Sequence, residues 1–171
     1  MKHIARVLIL MLALLCVFSA LTACNAEQSE DDNTTKGTAY YITYNGTKIE
    51  LGKKADGVLS ALGAPKSEEA LPDCGDFGKQ TKYEYANFML YTLTNDSGEV
   101  IDQIEFLNDM VETEKGVCIG DTSDDVIKAH GEPTQKSDRS ISYNDGSFYL
   151  KFGIEDGSVK SISYIRSLQG N

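Results

Sequence analysis

Residues 51–65 read LGKKADGVLSALGAP, and residues 119–133 read IGDTSDDVIKAHGEP. Laid one under the other, Gly52/Gly120, Val58/Val126, Leu59/Ile127, Ala61/Ala129, Gly63/Gly131 and Pro65/Pro133 coincide at a constant offset of 68. Both stretches carry helix punctuation. Thr122 and Asp125 have the spacing of a capping box, Gly63 and Gly131 stand where a left-handed C′ residue belongs, and a proline follows two residues on. Between those marks, Val58/Leu59/Leu62 and Val126/Ile127/His130 form one apolar stripe at helical spacing. A helix of about ten residues is too short to stand alone and must pack on something.

The stretch behind each helix supplies it. Strands are expected near 81–86, 88–94 and 100–107, and again near 140–144, 147–154 and 158–165. Asn95-Asp96-Ser97-Gly98, Asn144-Asp145-Gly146 and Glu155-Asp156-Gly157 mark the turns. Tyr85 matches Tyr143 and Ile104 matches Ile162, now at an offset of 58. The first copy therefore carries ten extra residues before its first strand, and Cys74 lies among them. A further pair, 40–45 and 47–51 around Asn45-Gly46, reads as an opening hairpin. The expected fold is α+β: a helix and a three-strand antiparallel meander, written twice, over 39–112 and 113–171.

Alternation assigns faces. Phe148, Leu150, Phe152 and Ile154 share one side of their strand, with Ile162 and Tyr164 beside them; Phe88, Leu90, Thr92, Ile104 and Phe106 are the first-copy equivalents. The other side presents Met89, Tyr91 and Leu93, and on the matching strand Tyr149, Lys151 and Gly153. An apolar, aromatic patch on a sheet face without a helix is either an interaction surface or the contact between the two copies. Met89, Tyr91, Leu93 and Tyr149 are the candidate contacts for a protein partner.

Upstream of this domain the sequence is an address. Lys2 and Arg6 precede the largely apolar run Val7–Ala20, which is short for a membrane span and suits a signal peptide. Leu21-Thr22-Ala23-Cys24 then matches the lipobox of bacterial lipoproteins, so residues 1–23 are expected to be removed and Cys24 lipidated. An ordinary secretory signal with a chance cysteine is the alternative. Residues 25–38, NAEQSEDDNTTKGT, hold one aliphatic side chain and read as a disordered tether. The 171 residues carry 26 Asp+Glu against 16 Lys+Arg, a net charge of −10; cleavage would leave 148 residues at −12. Such a chain is a poor partner for nucleic acid and for anionic lipid surfaces, so membrane attachment is assigned to the Cys24 lipid.

The pattern G-x₅-V-x₄-G-x-P at a helix, followed by a three-strand meander and repeated, resembles the β-lactamase inhibitor protein fold. It also resembles the single-copy SmpA/OmlA (BamE) outer-membrane lipoproteins. The matching stretches are Gly52–Pro65 and Gly120–Pro133, within about 40–166; Cys74-Gly75-Asp76-Phe77-Gly78 before Tyr83-Glu84-Tyr85 looks like the two-repeat lipoproteins of Firmicutes. The resemblance implies binding rather than catalysis: an extracytoplasmic lipoprotein on the outer face of the cell membrane, holding an envelope protein or a cell-wall component. Inhibition of a β-lactamase is the alternative function by fold analogy.

Candidate chemistry is sparse. Cys74 and Cys118 remain after Cys24 is assigned, and an even pair in an exported chain favours a disulfide. A thiol enzyme pairing one of them with His130 is the competing reading; no nucleophile motif accompanies it. His130 itself occupies the helix position of Leu62 and reads as a helix-end histidine. Asp121-Thr122-Ser123-Asp124-Asp125 offers oxygen ligands without a calcium-loop pattern, so no metal, cofactor or catalytic residue is assigned.

Overall fold

The computed structural model describes residues 39–72 and 78–167. In chain order these form β1 (Tyr41–Tyr44), β2 (Thr47–Glu50), α1 (Asp56–Leu62), β3 (Ser67–Ala70), β4 (Lys79–Glu84), β5 (Phe88–Asn95) and β6 (Gly98–Phe106). There follow α2 (Ser123–His130), β7 (Gln135–Ser137), β8 (Ser140–Asn144), β9 (Phe148–Glu155) and β10 (Ser158–Arg166). Turn chemistry sets the hairpins. Asn45-Gly46 and Asp156-Gly157 both take positive φ at each residue, 49° and 80° in the first and 51° and 74° in the second, as a two-residue hairpin turn of the I′ kind requires.

β3 to β10 make one antiparallel sheet in the order β3-β4-β5-β6-β10-β9-β8-β7. Its two halves join at β6 and β10, where Gln103, Ile104 and Glu105 pair with Ile165, Tyr164 and Ser163. Over one face lie both helices and the β1–β2 hairpin. Ile42, Ile49, Ala55 and Val126 from that layer are buried with Phe88, Leu90, Ile101, Ile104, Ile141, Leu150, Phe152 and Ile162 of the sheet. Burying such apolar side chains is the main favourable term, at roughly 1.5–3 kcal/mol for each large one. Tyr40 stacks on Tyr164, their ring centroids 5.4 Å apart, and so fastens the chain leading into β1 over the β6–β10 seam.

The expected fold class is corrected here. Strands take 52% of the described residues and helices 12%, so the fold is β-rich rather than two helix-plus-three-strand units. Two things cause the difference. The helices run only seven and eight residues. Each half also adds a fourth strand just past its proline: Ser67–Ala70 pairs with β4, and Gln135–Ser137 with β8. Proline biases its neighbourhood to extended backbone, and these segments continue that way to the two sheet edges. The junction between halves is this strand pairing, so the Met89/Tyr91/Leu93 face is not what joins them.

Candidate functional site

The face of the sheet away from the helices is a grid whose rows follow from the strand register. One row runs Ser67–Glu84–Met89–Glu105–Ser163–Lys151–Ser142–Gln135 across all eight strands. The next runs Glu69–Lys82–Tyr91–Gln103–Ile165–Tyr149–Asn144. Tyr91 and Tyr149 thus share a row, separated by Gln103 and Ile165, and Met89 flanks Tyr91 in the row beside it. Neighbours in a row are about 5 Å apart and rows about 7 Å apart.

Of the four expected contacts, three are available on this face. Tyr149 is 38% exposed, and Met89 and Tyr91 are half-buried. Leu93 is buried, between Gln80 and Val100 in register, and acts in packing. The Tyr91 hydroxyl donates to Glu105 Oε2 at 3.1 Å, and Gln103 Nε2 donates to Glu105 Oε1 at 2.6 Å. Desolvation first, then the Glu105 carboxylate, pushes the Tyr91 phenol up to about 12, so it stays a neutral donor. Lys82 is paired with Glu69. The first-half part of the face is therefore preorganised, with its charges mutually engaged. Exposed apolar side chains continue beyond the end of β6 at Leu107 and Met110, which is 73% exposed.

A second polar cluster was not foreseen, and it is buried. His130, at the end of α2, has its side chain 3% exposed; Thr113 is 3% exposed and the Glu114 side chain 8%. Thr113 Oγ1 accepts the Val117 N–H at 3.1 Å, which leaves its own proton for His130 Nε2 at 3.2 Å. The neutral ring then carries its proton on Nδ1, facing Glu114 Oε1 at 3.8 Å. Tyr164 donates to Glu114 Oε2 at 2.5 Å. Burial pushes His130 down to about 4, and burial together with Glu114 drives the Tyr164 phenol far up. Hydroxyl, imidazole and carboxylate stand in a relay order, with all three side chains nearly enclosed. The cluster pins the connection before α2 to the end of that helix. A polar residue at an apolar-stripe position, His130 for Leu62, is the sequence signal that could have found it.

The remaining expected residues divide between described and undescribed segments. Cys118 is half-buried and without a disulfide partner among the described residues; burial first, then the Asp121 carboxylate, raises its thiol pKa. A thiol so placed is a weak nucleophile at neutral pH. Cys24, the tether and Cys74 lie outside the described residues, and with Cys74 the expected disulfide. The acidic run is occupied locally: Asp121 accepts the Cys118 N–H at 2.8 Å, and Asp125 closes the α2 capping box with Thr122. Among the described residues no three His, Cys, Asp or Glu side chains are placed to hold a metal ion. Comparison with protein-family models, with curated proteins and with solved structures finds no match to this chain.

Proposed function

We propose that the chain is an exported, lipid-anchored envelope protein that binds another protein through the helix-free face of its sheet and performs no chemistry itself. One observation carries this reading: Met89, Tyr91 and Tyr149 stand in adjacent rows of a sheet face that neither helix covers. Tyrosines and methionines are the side chains enriched where protein surfaces meet. The lipobox ending at Cys24 supports the address, and the buried state of His130 supports binding over catalysis.

A photo-crosslinking residue placed at Tyr91, at Tyr149 and, as a control on the exposed side of α2, at Lys128 tests the reading in cells. Adducts of one discrete mass from positions 91 and 149, and none from 128, are expected. Adducts from 128 alone, or from none of the three, would overturn it. Cys24→Ala should move the protein from the membrane to the soluble fraction. Among protein partners the family resemblance points to a β-lactamase, and nitrocefin hydrolysis in the presence of the purified chain examines that case.

A further inference from the structure

The two halves of the helix-free face are built from different side chains. By register, Glu84, Met89, Tyr91 and Glu105 of the first half stand where Ser142, Lys151, Gly153 and Ser163 stand in the second. Bulk on one side and small side chains on the other leave a concavity of about 320 Å³ over β7 to β10. That is the small end of the roughly 300–1,000 Å³ range of ligand sites. Its lining includes Gln135, Ser142, Asn144, Tyr149, Lys151 and Ile165.

Thr134 and Ser140 of the lining are hydrogen-bonded to Asn144 and Ser137, while four other lining side chains have no polar partner among the described residues. The side chains of Gln135, Ser142, Tyr149 and Lys151 make no hydrogen bond or ion pair among the described residues, and the Tyr149 ring touches no other aromatic ring. Asn144 accepts the Gly146 N–H through Oδ1 at 2.7 Å, which leaves its two amide protons free. Hydroxyl and amide groups on a grid of about 5 by 7 Å suit a ligand with many hydroxyls. A bare aromatic ring suits one with a C–H face to lay on it, since the ring face carries negative charge. The charge is selective too. On a chain with 26 acidic residues, the lining holds one lysine and no carboxylate.

We propose that this concavity binds an acidic saccharide. A sugar ring lies against Tyr149, its hydroxyls meet Gln135, Ser142 and Asn144, and its carboxylate meets Lys151. The proposal rests on the helix-free face being the working face: the glycan seats over β7–β10 beside the protein held at Met89 and Tyr91, and Tyr149, at the border in the row of Tyr91, lies within reach of both.

The test titrates the full chain, isotopically labelled and held in detergent, with a galacturonic acid tetramer and with an N-acetylglucosamine tetramer, following amide shifts by NMR. Saturable shifts confined to β7–β10 with the acidic oligomer, at least about tenfold weaker with the neutral one, are expected. Tyr149→Ala should abolish them, Tyr149→Phe should largely keep them, and Lys151→Met should erase the preference for acid while the remaining spectrum stays unchanged. No saturable shift, equal response to both oligomers, or shifts that survive Tyr149→Ala would overturn the proposal. Failure here with crosslinks intact at Tyr91 removes the glycan and leaves the protein-binding reading. Success here with no crosslink at Tyr91 does the reverse.

Discussion

The two halves of the sheet use the same backbone plan and spend their side chains differently. Gly52 and Gly120 donate to Ile101 and Val159 at 2.8 and 2.9 Å; Lys53 and Asp121 accept from the same two residues at 2.9 and 2.8 Å; Ala55 and Ser123 donate to Glu99 and Gly157 at 3.0 and 2.9 Å. Even the irregularities recur. β6 bulges at Asp102 and β10 at Lys160, the corresponding position. Yet Asp102 is buried and Lys160 exposed. The backbone plan survives side-chain change because its hydrogen bonds do not involve side chains; what each half binds or packs is then free to diverge.

The largest difference between the bulges lies at the seam. Asp102 Oδ1 accepts from Arg166 Nε at 3.0 Å and lies 3.0 Å from Arg166 Nη2 as an ion pair, and its Oδ2 accepts from Gln80 Nε2 at 3.1 Å. This ion pair ties the last strand of the second half to the first half. Removing one partner of this partly buried pair leaves the other charge without its partner, at roughly 1–3 kcal/mol. Asp102→Ala should therefore lower the unfolding free energy by that amount, seen as a lower urea midpoint at unchanged m-value, while Lys160→Ala changes it by no more than about 0.5 kcal/mol. Equal effects at the two bulges would mean that the seam ion pair contributes nothing special.

The helix ends differ next. Leu62 closes the α1 stripe where His130 closes that of α2, so only the second of these helix ends carries a titratable group. The groups facing His130 are Glu114, Lys115, Thr113 and the ring of Tyr143. Its folded pKa of about 4 lies below the ordinary imidazole value of 6.5. Between those values the unfolded chain takes up a proton that the fold refuses, so stability is complete above pH 6.5 and falls as pH drops toward 4. The loss reaches about 3 kcal/mol from this group. Denaturant unfolding at pH 7 and pH 4.5 should show that decline in the parent chain, and His130→Gln should remove most of it. An identical decline in the variant would place the acid sensitivity in the carboxylates instead.

How much of this was legible varied with how strongly burial writes itself into sequence. The strands with alternating burial, such as Phe148–Glu155, and the turns at Asn45-Gly46 and Asp156-Gly157 were readable, because alternation and positive φ restrict residue choice. β3 and β7 were not. Ser-Glu-Glu-Ala and Gln-Lys-Ser are exposed at every position, and a strand that buries nothing leaves no period to read. Alternation places Leu93 on the helix-free face, where its neighbours nevertheless bury it. The Thr113/Glu114/His130/Tyr164 cluster shows in the sequence only at His130, a polar residue on an apolar stripe; its other members come from a connection and the last strand, and only the fold makes them neighbours. Tyr91 and Tyr149 were named as candidates, but their common row depends on the β6–β10 pairing, which no local pattern announces.

The smallest contrast separates the helix starts. α2 has a complete capping box, in which Thr122 Oγ1 accepts the Asp125 N–H at 3.2 Å and Asp125 Oδ2 accepts the Thr122 N–H at 3.2 Å. At the matching positions α1 has Lys54 and Gly57, and its start has no side-chain cap. Thr122→Ala should cost about 1 kcal/mol. Gly57 holds no left-handed conformation and an added Cβ meets open space, so Gly57→Ala removes only unfolded-state entropy and should gain about 0.5–1 kcal/mol. The two substitutions should thus move thermal midpoints in opposite directions by a few degrees. A loss at Gly57→Ala would mean that this glycine is held by a contact the bare backbone makes, and that α1 starts on different terms from α2.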